Sequence, residues 1–430
     1  MSDLVGRRVL VVGMGRSGVA AARLALHAGA IVTCTDQRGE AEPVEGAKLV
    51  YGRHDEADFR RAQLVVVSPG VPASHPLLAV ARSAGAEVVG ELGFAFDRVR
   101  VPVLAVTGTN GKSTTTFLLG QILAQAGHRP FVGGNLGTPF SLAADGDHTI
   151  AAVEVSSYQL ELPGRFHPRA AAILNLQPDH LGRHGDLATY AAAKCRIFAR
   201  MTPEDLAVVG PSLPDVPWPL DGLQAPLRYL GRAPGVTVSD HALTFSGTPD
   251  DGGLDLASFP LLGRHNAENL GAAMLLAMHA GVRRDQVRLA ELRGLPHRLE
   301  LVVDGPVRFI DDSKATNVDA ALVGIGAVSG APGTTVVLLG GEGKAGADYA
   351  RLAPVLRGAR VVCFGASGPE IARAIPGTVV RKLEEAVRTA RTLAQPRGTV
   401  LLSPACASFD EFENFEDRGQ HFRTWAQGGT

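Results

Sequence analysis

Lys112 heads the residues of this chain that could do chemistry. It sits in Gly108-Thr109-Asn110-Gly111-Lys112-Ser113-Thr114. Two glycines let backbone N–H groups crowd around phosphate oxygens, Lys112 adds a point charge, and Ser113 can ligate Mg²⁺. The usual phosphate-loop spacing asks for another glycine at position 106, where this chain has Val106. The competing reading is an ordinary strand-to-helix turn capped by Ser-Thr. It is the weaker one, because glycines, lysine and hydroxyls stand together after an apolar run and before a helical one.

Further candidates follow other apolar runs. Glu154 leaves one beside Ser156, Ser157 and Gln159, where a carboxylate is placed to hold Mg²⁺ over a terminal phosphate; the lesser reading is an acid at a helix start capped by Ser156 or Ser157. Asp179-His180 ends another, with Lys194 on the helix that follows. His180 and His184 have i,i+4 spacing, but no cysteine or third ligand supports zinc, and a structural histidine is as good a reading. By its local pattern Lys194 is a solvated helix lysine. Asp311-Asp312-Ser313-Lys314-Ala315-Thr316-Asn317 could serve ribose hydroxyls through Asp312 and phosphate charge through Lys314, or be a capped helix with exposed charges. Loops Gly340–Lys344 and Ser403–Phe409 extend this set as a binding rim. Near the start, Gly13-Met14-Gly15-Arg16-Ser17-Gly18, with Asp36 closing the next strand, is a dinucleotide fingerprint whose geometry suits any diphosphate.

Positioning these groups requires strands that end where the loops begin. Hydrophobic runs at 9–12, 31–35, 64–67 and 87–89 alternate with an Ala-rich helix over 19–28 and other connections. Runs at 103–106, 150–155 and 171–174 alternate with helices at 113–126 and 187–200, and a helix over 266–280 closes this part. The Pro- and Gly-rich text after Met201 reads as short antiparallel strands and loops. Strands at 307–310, 335–339, 360–364 and 399–402 alternate with helices at 318–328, 349–356, 369–374 and 383–394. This is an α/β protein of three consecutive doubly wound units: Rossmann-like, then P-loop ATPase-like, then Rossmann-like. Boundaries fall at 1–99, 100–298 and 299–430, with hinges near 99–102 and 296–300.

With 430 residues the chain is long enough for several cores. A net charge of −1 gives no footprint for nucleic acid or an anionic membrane, and no apolar run is long enough to span a bilayer. Cys34, Cys195, Cys363 and Cys406 are isolated and read as reduced core thiols of a cytoplasmic protein.

Taken together, the clusters resemble the Mur ligases of bacterial cell-wall synthesis. The resemblance spans nearly the whole chain. It rests on Gly108–Thr114, Gly133-Gly-Asn135-Leu-Gly137, Glu154–Glu161, Asp179-His180, Lys194, His265-Asn266, His297-Arg298, Asp312–Asn317 and Leu402–Phe409. It implies an ATP-dependent, amide-forming ligase of peptidoglycan precursor synthesis that works as a monomer with Mg²⁺. Its acyl substrate would be UDP-N-acetylmuramoyl-L-alanine, activated as an acyl phosphate, and its amine substrate D-glutamate. An Asp-Asn-Pro-Arg stretch, which selects diamino acids in relatives, is absent.

Carried over by position, Gly108, Thr109, Asn110, Gly111, Lys112, Ser113, Thr114, Asn266, Asn269, Arg298 and Asp312 would bind ATP. Ser113, Glu154, His180 and a carbamylated Lys194 would hold Mg²⁺, and Lys112, Glu154, His180 and Lys194 would be the catalytic set. Gly15, Arg16, Ser17, Asp36, Ser68, Gly70, Asn135, Ser156 and Gln159 would hold the UDP-substrate; Lys314, Thr316, Lys344, Ser408 and Phe415 would receive D-glutamate. Arg16, Glu342 and Glu413 depart from the commoner residues at their positions. Folylpolyglutamate synthetase is the alternative within the superfamily, and it lacks a Rossmann-like unit ahead of the phosphate loop. A dehydrogenase or NAD-sensing protein would use Gly13–Gly18 but leave Lys112, Glu154 and the last unit unexplained.

Overall fold

A computed structural model describes residues 4–344 and 346–428. It contains three sheets. The first has strands β1 (Arg8–Val12), β2 (Ile31–Asp36), β3 (Lys48–Tyr51), β4 (Leu64–Val67) and β5 (Glu87–Gly90) in the order β3-β2-β1-β4-β5. All its pairings are parallel. Successive side chains of a strand point to opposite faces, so a strand covered on both sides must be apolar throughout. β1 obeys this from Val9 on: Val9 and Val11 pack with Val19 and Ala22 of the helix Arg16–His27, while Leu10 and Val12 pack with Phe59 and Leu78 on the other face.

The second sheet comprises β6 (Val103–Thr107), β7 (Pro130–Gly134), β8 (Ile150–Glu154), β9 (Ala170–Ile173), β10 (Leu206–Val209), β11 (Leu227–Leu230), β12 (Gly235–Val238), β13 (Ala242–Ser246) and β14 (Gly252–Asp255). They lie in the order β14-β13-β12-β11-β10-β9-β6-β8-β7. The text after Met201 departs from expectation, since β10–β11 and β11–β12 pair parallel and only β12–β13–β14 is antiparallel. The Pro-rich stretch between Val209 and Leu227 is long enough for the crossover that parallel pairing needs.

The third sheet holds β15 (Glu300–Val303), β16 (Val307–Asp311), β17 (Thr334–Gly340), β18 (Arg360–Phe364), β19 (Thr378–Val379) and β20 (Gly398–Leu402), ordered β15-β16-β20-β17-β18-β19. Here too a strand serves two cores, with Val337 and Leu339 on one face and Val336 and Leu338 on the other. Two expected helices end early. Tyr349–Leu352 is a short 3₁₀ turn, because Pro354 brings no N–H and its ring clashes with the preceding turn. The helix from Leu187 stops at Cys195 and tightens into a 3₁₀ turn at Arg196–Phe198. The helix Phe415–Ala426 was not expected at all.

By compactness the chain forms two units. One runs to Phe259 and resumes over Ala267–Leu292, so it contains the first two sheets; the other holds Pro260–Asn266 and the chain from Arg293 on. Within the first unit the two sheets are joined by polar contacts. Gly90 N donates to Leu162 O at 2.8 Å, and the buried Glu91 accepts from Ser141 N and Oγ at 2.7 and 2.6 Å. Among the described residues no helix is long and apolar enough to cross a membrane.

Candidate active site

The loop after β6 turns at Gly111, whose φ of +84° starts the helix Lys112–Gln125 with no side-chain cap. A Cβ at Gly111 would lie 2.3 Å from Asn269 Oδ1, so this position must be glycine for conformation and for space. Asn269 Oδ1 accepts from Thr115 Oγ1 at 3.2 Å. Uncapped first-turn amides leave the helix end able to meet an anion. Asn110 is braced by Asn175 and Gln177 from the loop after β9.

Two lysines converge on one oxygen of this loop. Lys112 Nζ donates to Gly108 O at 2.9 Å and Thr109 O at 2.7 Å; Lys194 Nζ donates to the same Gly108 O at 2.8 Å. Lys194 is 1% exposed, and its Nζ lies 4.1 Å from the centre of the Tyr190 ring. Burial, with the charge of Lys112 second, pushes the Lys194 ammonium down to about 6. At neutral pH it is a free amine and hence a nucleophile. The solvated lysine expected from the local pattern is therefore corrected. Its helix packs inward through Tyr190, Ala191 and Ala193, and Tyr190, four residues earlier on the same face, supplies its floor.

His180 also packs on Tyr190, with ring centres 6.0 Å apart. It lies in the left-handed region, φ 55°, and its Nδ1 is 3.1 Å from the Tyr158 hydroxyl. His184 Nε2 lies 3.0 Å from Ser157 Oγ. Glu154 ends β8 beside β6 and is 2% exposed. Its Oε1 accepts from Asn135 Nδ2 at 2.6 Å, whereas Oε2 finds no hydrogen-bond partner among the described residues. A buried carboxylate oxygen left open is unusual and suits a cation. Arg183 was not anticipated. It clamps Glu161 at 2.8 and 2.7 Å, donates to Val71 O at 3.2 Å, and covers the Tyr158 ring.

In the first sheet, the fingerprint packs tightly: a Cβ on Gly18 would fall 1.9 Å from Gly13 O, which also accepts from Ser68 Oγ. Arg16 and Gly15 are exposed, Ser17 is half-buried, and Gly70 is exposed in the loop after β4. Asp36 is occupied already. It accepts from Met14 N at 2.6 Å and from Arg38 through Nε and Nη2. Those hydrogen bonds, Arg38 foremost, hold its carboxyl well below the usual range. Gln159 Oε1 accepts from Ser156 N and Oγ. Ser68, Tyr158 and Gln159 line one small cavity together with Glu91 and Glu161.

The second unit carries the remaining candidates. Asp312 is 5% exposed, accepts from Ser403 Oγ at 2.8 Å, and is pushed up to about 7, chiefly by burial. Arg298 is half-buried, and its charge opposes that rise. Asn266 Nδ2 donates to Leu262 O. Lys314 Nζ lies 5.3 Å from the centre of the Phe415 ring, Thr316 follows in the same turn, Ser408 is buried and Lys344 exposed. His297, in a left-handed conformation (φ 60°), pairs through Nδ1 with Asp311 Oδ2 at 2.7 Å. The hydrogen bond to Asp311, foremost, and the Glu300 carboxylate raise the pKa of His297.

Known proteins give this geometry a context. The Mur ligase MurD-like N-terminal domain matches residues 7–90, the Mur ligase middle domain 106–216, and the Mur ligase glutamate ligase domain 297–406. The UDP-N-acetylmuramoylalanine–D-glutamate ligase of Anaeromyxobacter dehalogenans is 43% identical, over 99% of this chain and 98% of its own. Its namesake in Myxococcus xanthus is 44% identical over 98% of each. A solved MurF ligase of Thermotoga maritima in complex with ADP superposes with a TM-score of 0.58, at 18% identity, over 99% of this chain and 96% of its own. A pseudomurein peptide ligase type C of Methanothermus fervidus gives 0.56 at 19%, over 98% and 100%. These two likenesses establish the fold.

Proposed function

This chain belongs to the Mur ligase family, and on that premise we propose that it is an ATP-dependent ligase joining D-glutamate to UDP-N-acetylmuramoyl-L-alanine. The observation that carries this reading is its end-to-end likeness to ligases of that one name. In the reaction, the alanyl carboxylate attacks the γ-phosphorus of ATP and ADP leaves, giving an acyl phosphate. The amine of D-glutamate adds to that carbonyl, a proton is lost, and phosphate departs with formation of the amide. Each step concentrates negative charge, which the site must neutralise.

Residues 1–99 would bind the UDP-substrate, 100–298 ATP, and 299–430 the amino acid. Lys112 and the uncapped amides of the helix Lys112–Gln125 would cradle the phosphates. Mg²⁺ would supply charge neutralisation on the phosphate oxygens. Its fit rests on the open Oε2 of Glu154 beside the phosphate loop, with Ser113 completing one site and His180 another. Lys194, as a free amine, is in the form that attacks CO₂; the N–C bond forms, a proton leaves, and the resulting carbamate gives the second site an anion.

The test is phosphate release from ATP with UDP-N-acetylmuramoyl-L-alanine and a panel of amino acids. Release with D-glutamate, and not with L-glutamate or diamino acids, is expected. Release independent of D-glutamate would overturn the substrate assignment, and NADH binding without any release would overturn the ligase reading.

A further inference from the structure

Arg418, in the first turn of the helix Phe415–Ala426, is completely buried. Its Nε donates to Ser313 Oγ at 2.9 Å, Nη2 to Ser313 O at 2.8 Å and Cys406 O at 3.1 Å, and Nη1 to Ala407 O at 3.0 Å. Every acceptor is a neutral oxygen. A Cβ on Gly341 would stand 3.0 Å from Nη1, so a third loop passes against the same group. These loops follow β16, β20 and β17, which are neighbours in the sheet, and they lead to Lys314, Ser408 and Lys344 respectively.

A guanidinium buried with only neutral oxygens as hydrogen-bond partners, the charges of Asp410, Asp311 and Glu411 acting from farther off, is costly, and folds keep such a group where its charge or its fork of donors is needed. Here four of the fork's five N–H donors are engaged. The Ser313 turn is also held from its other side, by Asp311 Oδ1 accepting from Ser313 N at 2.9 Å and His297 O accepting from Lys314 N at 3.0 Å. Ser313 Oγ in turn donates to Phe415 O at 2.8 Å, tying Arg418's helix to the loop it supports.

We propose that Arg418 is the positioning residue of the amino-acid subsite, setting the spacing of Lys314, Ser408 and the Lys344 loop and placing a fixed positive charge beneath the seat of a dicarboxylic amino acid. This rests on the assignment of that subsite above. Arg418 touches no substrate; it acts through the loops. Lysine would keep the charge but lose the planar fork, so Arg418→Lys separates geometry from charge.

The experiment is steady-state phosphate release by the whole enzyme, varying each of the three substrates in turn, with melting temperature measured alongside. In Arg418→Lys, KM for D-glutamate is expected to rise about ten-fold or more while KM for ATP and for the UDP-substrate stay within about two-fold. A merely structural role would move all three together. That result, or an unchanged KM for D-glutamate, overturns the proposal. If Arg418→Lys fails to fold, Ser313→Ala, which leaves the guanidinium its three carbonyls, is judged by the same selective rise, of about three-fold or more. Ser408→Ala and Lys344→Ala identify which idea failed. If neither raises KM for D-glutamate, the subsite assignment falls; if they do and Arg418→Lys does not, only the positioning role falls.

Discussion

Replacing Gly111 by alanine tests the phosphate loop with a single methyl group. Two costs add. Alanine at φ +84° pays about 1–2 kcal/mol for the left-handed conformation. Its Cβ would also sit 2.3 Å from Asn269 Oδ1, so the Asn269 side chain must move and its bond from Thr115 is lost, about 1 kcal/mol. The free loop can relax to relieve both, but bound ATP needs the original turn, so the penalty of about 2–3 kcal/mol falls on binding. That corresponds to a roughly 30- to 150-fold weaker Kd for ATP. Gly127→Ala is the control. It lies just past the other end of the same helix, at φ +88°, and its Cβ would meet nothing within 4 Å. It should cost about 1–2 kcal/mol of stability and leave ATP affinity unchanged. Calorimetric titration with ATP reads both variants. If Gly111→Ala binds within about three-fold of the parent, or if both variants weaken alike, the argument that this turn seats the nucleotide is refuted.

Lys112→Ala should abolish phosphate release yet leave affinity for the UDP-substrate nearly intact; equal loss of both, by calorimetry, would mean that the first sheet does not hold that ligand. Lys194→Ala should be nearly inactive and partly restored by added short carboxylates, and a complete absence of rescue would count against a carbamate. The His297–Asp311 pair gives a pH signature. The folded-state pKa of His297 lies above its ordinary value, so the pair's contribution is full below the unfolded pKa and fades as pH rises through the folded one. Urea unfolding of the parent and His297→Asn should therefore show a stability gap that is widest near pH 5.5 and narrows towards pH 9. A gap that widens with pH would reverse the sign of the argument.

Much of this site could be read from the chain because its positions are local. Glycines, lysine and hydroxyls in one run specify the phosphate loop, and apolar runs such as Val103–Thr107 and Leu64–Val67 mark strands whose ends place the loops. The contribution of Tyr190 to Lys194 was within reach too, since i,i+4 spacing puts both on one helix face. The environment of Lys194 was not, because its Nζ donates to Gly108 O, 86 residues away. The same holds for Arg418, 105 residues from Ser313. Its helix begins Phe-Glu-Asp-Arg-Gly, a polar stretch with a glycine that has no apolar period to announce it. Pro354, by contrast, is a local signal, and it stops the expected helix after Leu352.

The Gly108 carbonyl accepts from both Lys112 and Lys194, and a carbonyl oxygen has only two lone pairs to offer. That atom is thus saturated, and its residue has a backbone φ of +150° that a side chain would disfavour. Whatever reorients this one peptide plane misdirects two lysine side chains at once. Damage at positions 108, 112 and 194 should then compound less than additively, as the failure of a shared hinge pin disables both doors it carries.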